Sequence, residues 1–298
     1  MFASLTLLHK NAAFPQALAD LMVQHDKNLV PNQLAASNEC HVWQWVFTGP
    51  ISQSLEDAIS ELLALDMQQG LADYILYAGE QAPAIKLAVF DMDSTLIQAE
   101  VMDELAYEAG IGEQVAAITA SAMRGEIGFQ ESFKRRLGLL KGFDCSDLET
   151  IYQRIELMPG AERLLRNLVN QGVYCVILSG GFSYFADRFA TRLGMQEAYS
   201  NPLQQVENKL TGDISVPILD AERKLELLTA ISENNNWQIA QTMAVGDGAN
   251  DLPMLGAAGL GVAFHAKPLV IEQAPHHVSH FGLDALLYVL GLADKDLI

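Results

Sequence analysis

The sequence predicts an α/β protein: a parallel sheet covered by helices, with a helical insertion after its first strand and a small α/β plait ahead of it. Three observations carry this reading. From residue 84 onward, short continuous apolar runs at 85–90, 173–178, 242–245 and 260–264 alternate with helical patterns. Strands of that kind are buried on both faces, as a parallel sheet between helix layers requires. Between the first two runs, about residues 98–157 read as helix throughout. The first eighty or so residues have a different texture, rich in aromatic and β-branched residues in partial alternation.

In the N-terminal part, 5–8 and 14–23 read as a first strand and helix. His41-Val-Trp-Gln-Trp-Val-Phe47 reads as a strand ended by Gly49-Pro50. Trp43 and Trp45 alternate onto one face of its sheet, which favours packing over ligand recognition. Ser54 is expected to cap a helix that turns Leu55, Ile59, Leu62 and Leu63 inward, with Asp57 in its acidic first turn. Residues 74–77 then return as a strand, which suggests a plait. The Gly79-Glu-Gln-Ala-Pro83 stretch is the expected linker, dividing the chain into 1–82 and 83–298. In the insertion, Val101, Leu105 and Ala109 form one helical stripe ending at Gly110, and Phe129, Phe133 and Leu140 form another. Met158-Pro159-Gly160 marks the exit, and 203–206 and 209–216 flank Glu207-Asn208 as a hairpin.

A chain of 298 residues is long enough for about two domains and a full core. Half of it is hydrophobic and 18% is charged, which excludes a disordered chain. Lys and Arg number 18 against 37 Asp and Glu, a net charge of −19 that repels nucleic acid and anionic membranes. The three cysteines, Cys40, Cys145 and Cys175, contain no CxxC pair. They argue against a disulfide framework or thiolate zinc site, suit a reducing cytosol, and read as packing residues. The start lacks a basic segment followed by a sustained apolar one, and no apolar run is long enough to span a bilayer. The expected location is the cytoplasm, with neither nucleic acid nor membrane as partner.

Parallel strands place their C-terminal ends on one edge, where open α/β sheets bind ligands. The first strand ends in Asp91-Met-Asp93-Ser-Thr95, two carboxylates in a poorly solvated place that need a cation to neutralise them. The second ends in Ser179-Gly180-Gly181, a hydroxyl and open amides expected at a helix start, suited to phosphate oxygens. The third ends in Gly246-Asp247-Gly-Ala-Asn250-Asp251, preceded by a helix carrying Lys224. Four carboxylates, an amine, a hydroxyl and backbone amides on one edge describe a hard-cation and phosphoryl site.

In order, these four segments resemble the motifs of the haloacid dehalogenase (HAD) superfamily of phosphohydrolases, which have a Rossmann-like core and an inserted cap. Asp91-Met-Asp-Ser-Thr-Leu with Glu100, Met123-Arg-Gly-Glu-Ile-Gly-Phe129, Arg135-Arg136-Leu-Gly-Leu-Leu-Lys-Gly142 and Lys209-Leu-Thr-Gly-Asp213 resemble the phosphoserine phosphatases within it. The likeness covers 84 to about 280; the N-terminal part is only loosely similar to the ACT-like extension of bacterial members. The resemblance implies hydrolysis of O-phospho-L-serine, the last step of serine biosynthesis, through an aspartyl-phosphate. Asp91 is then the nucleophile and Asp93 the general acid and base. Mg2+ is held by Asp91, Asp93 (through its backbone carbonyl) and Asp247. Ser179, Gly180, Lys224 and Asn250 bind the phosphate, and Asp251 orients Lys224. Glu100 pairs with the substrate ammonium and Arg136 with its carboxylate, while Met123 and Phe129 close over the site. A homodimer is compatible with the resemblance.

Other readings stay open. Arg135 reads as a surface charge, and His276, His277 and His280 as packing or surface residues rather than metal ligands. A related phosphatase or phosphotransferase, passing the phosphoryl group to an alcohol such as homoserine, is one alternative. An amino-acid-sensing regulatory protein acting through its N-terminal unit is another.

Overall fold

The computed structural model describes residues 2–12, 15–37, 40–214 and 217–298. Phe14 and Val216, at the edges of an expected helix and hairpin, lie outside the described residues. The chain opens with β1 (Phe2–His9), α1 (Gln16–His25), β2 (Asn32–Ala36), β3 (His41–Phe47), α2 (Gln53–Gln68) and β4 (Ala72–Gly79). Their four strands form an antiparallel sheet in the order β2-β3-β1-β4. The cap of α2 differs from expectation. Ser52 sits before the helix and accepts from the Leu55 N–H at 3.4 Å, while Ser54 lies inside the first turn, where Glu56 is the acidic residue. Two serines two apart offer the same chemistry, and the extended backbone at Ser52 (ψ 150°) selects the first.

The alternation of β3 works as read on one face. Trp43, Trp45 and Phe47 join Ala3, Leu5 and Leu7 beneath residues of α1 and α2 such as Leu18, Met22 and Ile59. The opposite face is buried as well. Leu8, Val42, Ile75 and Tyr77 belong to the same apolar cluster as the interior of the larger sheet.

That larger unit runs β5 (Leu87–Phe90), α3 (Val101–Glu108), α4 (Gly112–Met123), α5 (Phe129–Leu139), α6 (Asp147–Arg154), α7 (Ala161–Asn170), β6 (Tyr174–Phe182), α8 (Ser183–Leu193) and β7 (Glu197–Asn201). It continues with β8 (Gln205–Val206), β9 (Lys209–Leu210), α9 (Ala221–Asn234), β10 (Thr242–Gly246), α10 (Leu252–Ala257), β11 (Leu260–Phe264), α11 (Pro268–Gln273), β12 (His276–Val278) and α12 (Ala285–Val289). Six strands form a wholly parallel sheet, β12-β11-β10-β5-β6-β7. The chain moves from β5 to β6 on one side and later to β10 on the other. The switch point therefore falls between β5 and β10, where a crevice opens at the strand ends.

The helices α3 to α6 all lie between β5 and β6. The chain leaves and rejoins the sheet through paired segments: the Gln98 N–H donates to Glu156 O at 2.9 Å and the Met158 N–H to Leu96 O at 2.8 Å. The β8–β9 hairpin is fastened to the insertion, with Gly142 N–H donating to Leu210 O at 2.8 Å and Cys145 N–H to Asn208 O at 2.9 Å.

Three strands were not read from the sequence: β2, whose residues are mostly exposed, β7 and β12. The residues of β7 are mostly half-buried, as an edge strand allows, and β12 has only three residues. His276 and His277 therefore lie in the last strand rather than past it. Burial pushes His276 down to about 4, so it is neutral at pH 7, and its ring lies 6.4 Å from that of Tyr77. The Asp73 carboxylate in β4 accepts from the Ser279 and His280 N–H groups at 2.9 and 2.7 Å. These histidines pack where the two sheets meet. Among the described residues, the one group of three acidic or histidine side chains close enough to share an ion lies elsewhere.

Candidate active site

β5 and β10 deliver the acidic residues. Asp91 follows β5, and Asp247 follows β10. Lys224, in α9, is fully buried and reaches both Asp251 Oδ1 at 2.6 Å and Asp91 Oδ1 at 2.9 Å. Burial works against the charge on Lys224, but Asp251 and Asp91 outweigh it, and the net shift is upward. The lysine is thus a permanent cation between two carboxylates. Removing one member of so buried a cluster leaves a charge uncompensated.

One lysine does not balance the acids around it. Asp91, Asp247 and Asp251 each place a carboxylate oxygen within 4.8 Å of the others. Burial first, then Asp91, Asp251 and Glu100, push Asp247 up to about 7, against a hydrogen bond from Thr95 Oγ1 at 3.1 Å. Burial and Asp91 push Asp251 up to about 6 despite Lys224. Crowded oxygen donors of this kind fit a hard divalent cation. Both Asp251 oxygens are engaged, Oδ1 by Lys224 and Oδ2 by the Gly248 N–H. Lys224 and the Met92 N–H reach only Oδ1 of Asp91, and Thr95 only Oδ1 of Asp247, so Asp91 and Asp247 keep the capacity for an ion. Gly246 is required where it stands, because a β-carbon there would strike the Asp251 side chain.

Asp93 lies deeper. Its Oδ1 accepts from the Val101 N–H at 3.1 Å, at the start of α3, and its Oδ2 lies 2.7 Å from where a β-carbon on Gly181 would be. Burial, then Glu100 and Asp91, push its carboxyl well above the usual range. Glu100 precedes α3 and accepts from the Ser94 hydroxyl at 2.7 Å. Ser94 takes a left-handed φ of 55°, which a tight turn after the strand imposes. Arg136, in α5, is half-buried; desolvation lowers its pKa, and Asp103, Glu100 and Asp93 oppose that shift. The insertion thus brings a cation within electrostatic range of Glu100 and Asp93.

Ser179 is fully buried and its Oγ accepts from the Gly181 N–H at 2.9 Å. The segment differs from expectation in one respect. β6 runs on to Phe182 and α8 starts at Ser183, so Ser179-Gly180-Gly181 is extended strand rather than a helix start. Asn250 folds its side-chain oxygen over Gly248 in the loop after β10. Phe129 opens α5, 41% exposed, with its ring tip 3.6 Å from where a β-carbon on Gly180 would lie. Met123 is not brought in to cover anything here. α4 ends at this residue, before a turn through Gly125 (φ 74°), and its side chain is 70% exposed. Sequence reasoning missed Thr95 as the partner of Asp247, although its place in the Asp-x-Asp-x-Thr run was the available signal.

Residues 88–256 match the model of the haloacid dehalogenase-like hydrolases. The chain belongs to the haloacid dehalogenase-like hydrolase family. Among curated relatives, a phosphoserine phosphatase of Archaeoglobus fulgidus is 46% identical over 70% of this chain and 60% of its own length. A probable phosphoserine phosphatase of Schizosaccharomyces pombe is 39% identical over 85% of this chain and 86% of its own. The chain spans only 60%, 54% and 51% of the first three curated relatives it matches. Among solved structures, a HAD family hydrolase of Salmonella enterica serovar Typhi superposes with a TM-score of 0.85 at 31% identity, over 97% of this chain and 98% of that one. A probable phosphoserine phosphatase of Vibrio cholerae gives 0.76 at 34% identity, over 97% and 86%. A substrate-bound phosphoserine phosphatase complex gives 0.64 at 38% identity, covering 68% of this chain and 97% of that one.

Proposed function

We propose that this chain is a magnesium-dependent phosphoserine phosphatase, releasing serine and inorganic phosphate. One observation carries the reading: a buried Lys224–Asp91 pair beside Asp247, under an insertion that sets Glu100 and Arg136 near Asp93. The first part is suited to a phosphoryl group and the second to the two charges of an amino acid. The relatives named above support the same substrate.

Asp91 attacks phosphorus, forming an Asp91–O–P bond as the P–O bond to serine breaks. Asp93, whose protonated form burial and its acidic neighbours favour, gives its proton to the departing serine oxygen. The resulting carboxylate then takes a proton from water, which attacks phosphorus and releases Asp91. Lys224, Ser179, the Gly180 amide and Asn250 hold the phosphate oxygens, and Asp251 orients Lys224. Asp91, Asp247 and the Asp93 backbone carbonyl would hold Mg2+, which when bound would neutralise charge at the phosphate. Glu100 takes the substrate ammonium and Arg136 its carboxylate. Phe129 shields the phosphate side of the pocket, and Met123 joins it when the insertion closes.

A phosphate-release screen over phosphoserine, phosphothreonine, phosphoethanolamine and sugar phosphates tests the reading. Phosphoserine should be the best substrate, yielding serine and phosphate in equal amounts. Transfer to an added alcohol in place of water would mark a phosphotransferase instead. Exhaustive chelation should abolish turnover and Mg2+ restore it. Ca2+ should inhibit, because its looser shell accepts a bidentate carboxylate and ties up both oxygens of Asp91. Full activity of protein shown to be metal-free would overturn the metal assignment.

The same proposal divides the chain at 82/83, with the cap inserted at about 98–157 and an ACT-like unit in front. Strand order β2-β3-β1-β4 with two helices on one face supports a plait. A fragment beginning near Pro83 should hydrolyse phosphoserine, since every proposed catalytic residue lies beyond it. The substrate-bound phosphatase structure, nearly all of which aligns with 68% of this chain, supports this. The fragment should nevertheless melt at lower temperature, because it uncovers apolar surface that Leu8, Val42, Ile75 and Tyr77 help bury. A folded, soluble, inactive fragment would show that the N-terminal unit completes the site. We also place the enzyme in the cytoplasm, where three free cysteines are at home.

A further inference from the structure

The β6–β7 ladder is interrupted at the candidate site. Leu178 pairs with Tyr199 and Phe182 with Asn201, so Ser179, Gly180 and Gly181 stand opposite Ser200 alone. A bulge of this kind leaves backbone groups that the ladder cannot satisfy. Side chains take them up here. The Gly181 N–H donates to Ser179 Oγ at 2.9 Å, and Asn201 Nδ2 donates to the Gly180 carbonyl at 2.8 Å. Asn201 is only 1% exposed, and its Oδ1 accepts from the Leu219 N–H at 2.8 Å. Leu219 immediately precedes Asp220, whose side chain caps α9, the helix that carries Lys224.

We propose that Asn201 is a positioning residue of the phosphate cradle, tying the Gly180–Gly181 peptide to the start of the Lys224 helix through both ends of one buried amide. The inference rests on reading Ser179, Gly180 and Lys224 as the phosphate-binding groups; Asn201 itself touches no reacting atom. The site demands an asparagine because the residue must donate to a carbonyl and accept from an N–H at once. An ionised aspartate still accepts from Leu219 but turns a repelling oxygen toward Gly180. Alanine leaves both backbone groups unmet, and the Gly180–Gly181 peptide is then held by Ser179 alone.

The test compares Asn201→Asp and Asn201→Ala in the full chain, with melting temperature measured alongside. Calorimetry with Mg2+ present reads the affinity for inorganic phosphate, and kinetics read kcat and KM for phosphoserine. Phosphate affinity and kcat/KM should both fall, by about 10- to 100-fold. As pH is lowered from about 8 to about 5.5, the buried aspartic acid gains a proton and can again donate to Gly180. The Asp-variant-to-parent ratio of kcat/KM should then rise several-fold, while the Ala-variant ratio stays flat. Dividing by the parent at each pH removes the titration of Asp93, Asp247 and Glu100 common to both. A lowered melting temperature with unchanged phosphate affinity in the folded protein would overturn the proposal and leave Asn201 a structural residue. If either variant fails to fold, the other and Asn201→Ser carry the same comparison. If the parent binds phosphate but does not hydrolyse phosphoserine, the substrate reading fails, and the phosphate affinities alone decide the role of Asn201.

Discussion

Asp91→Asn is expected to lower turnover of phosphoserine by at least roughly 10^4-fold while leaving the protein folded. The substitution keeps the shape of the side chain, and the amide oxygen can still face Lys224 and accept from the Met92 N–H, which reaches Asp91 Oδ1 at 2.7 Å. Lys224 also retains Asp251 at 2.6 Å, so it is not left unpaired. What is lost is the carboxylate that attacks phosphorus. Acid quenching of the parent with radiolabelled substrate should leave phosphate on the chain, and the variant should retain none. More than trace activity in purified, folded variant would refute the assignment of Asp91.

Arg136→Ala is expected to act on substrate choice. A guanidinium grips a carboxylate through two parallel hydrogen bonds, which lysine cannot imitate. Burial already destabilises the charge of Arg136, and the acidic groups Asp103, Glu100 and Asp93 oppose that effect. A substrate carboxylate would add to those partners. Losing the grip should cost about 2–5 kcal/mol of transition-state stabilisation for phosphoserine. Phosphoethanolamine and aryl phosphates, which have no carboxylate, should lose far less. Glu100→Gln should show the complementary pattern, hurting substrates that carry the ammonium. Measuring kcat/KM for both variants on these esters decides the matter. Equal losses on every ester would mean that the two residues shape the insertion or the core rather than read the amino acid.

The legible elements share a physical cause. β11 occupies 260–264 as read, and β5 and β10 fall within a few residues of expectation, because strands buried on both faces must be continuously apolar. The acidic runs after them were legible because charge beside a buried strand end is costly and stands out. β7 escaped notice because its residues, Glu197-Ala-Tyr-Ser-Asn201, are mostly half-buried and carry no apolar run. Asn201 was hidden with it. A buried amide at the end of an unrecognised strand gives no pattern, and its two partners, Gly180 and Leu219, lie 21 and 18 residues away.

By itself the sequence determined the parallel sheet, the place of the helical insertion and the order of the strand-end motifs. Each follows from local hydrophobic continuity, and continuity is a property of neighbours along the chain. Only the tertiary structure decided that Asp91 shares Lys224 with Asp251, because that depends on α9 packing against β6 and α10 rather than on any spacing. It also decided that Ser179-Gly180-Gly181 stays extended, held by a side chain from the next strand. The second face of the N-terminal sheet belongs to the same class. Leu8, Val42, Ile75 and Tyr77 look like ordinary alternating residues until the larger unit supplies the apolar surface that buries them. Burial between two units is fixed by surfaces that meet, and no residue within either unit specifies it alone.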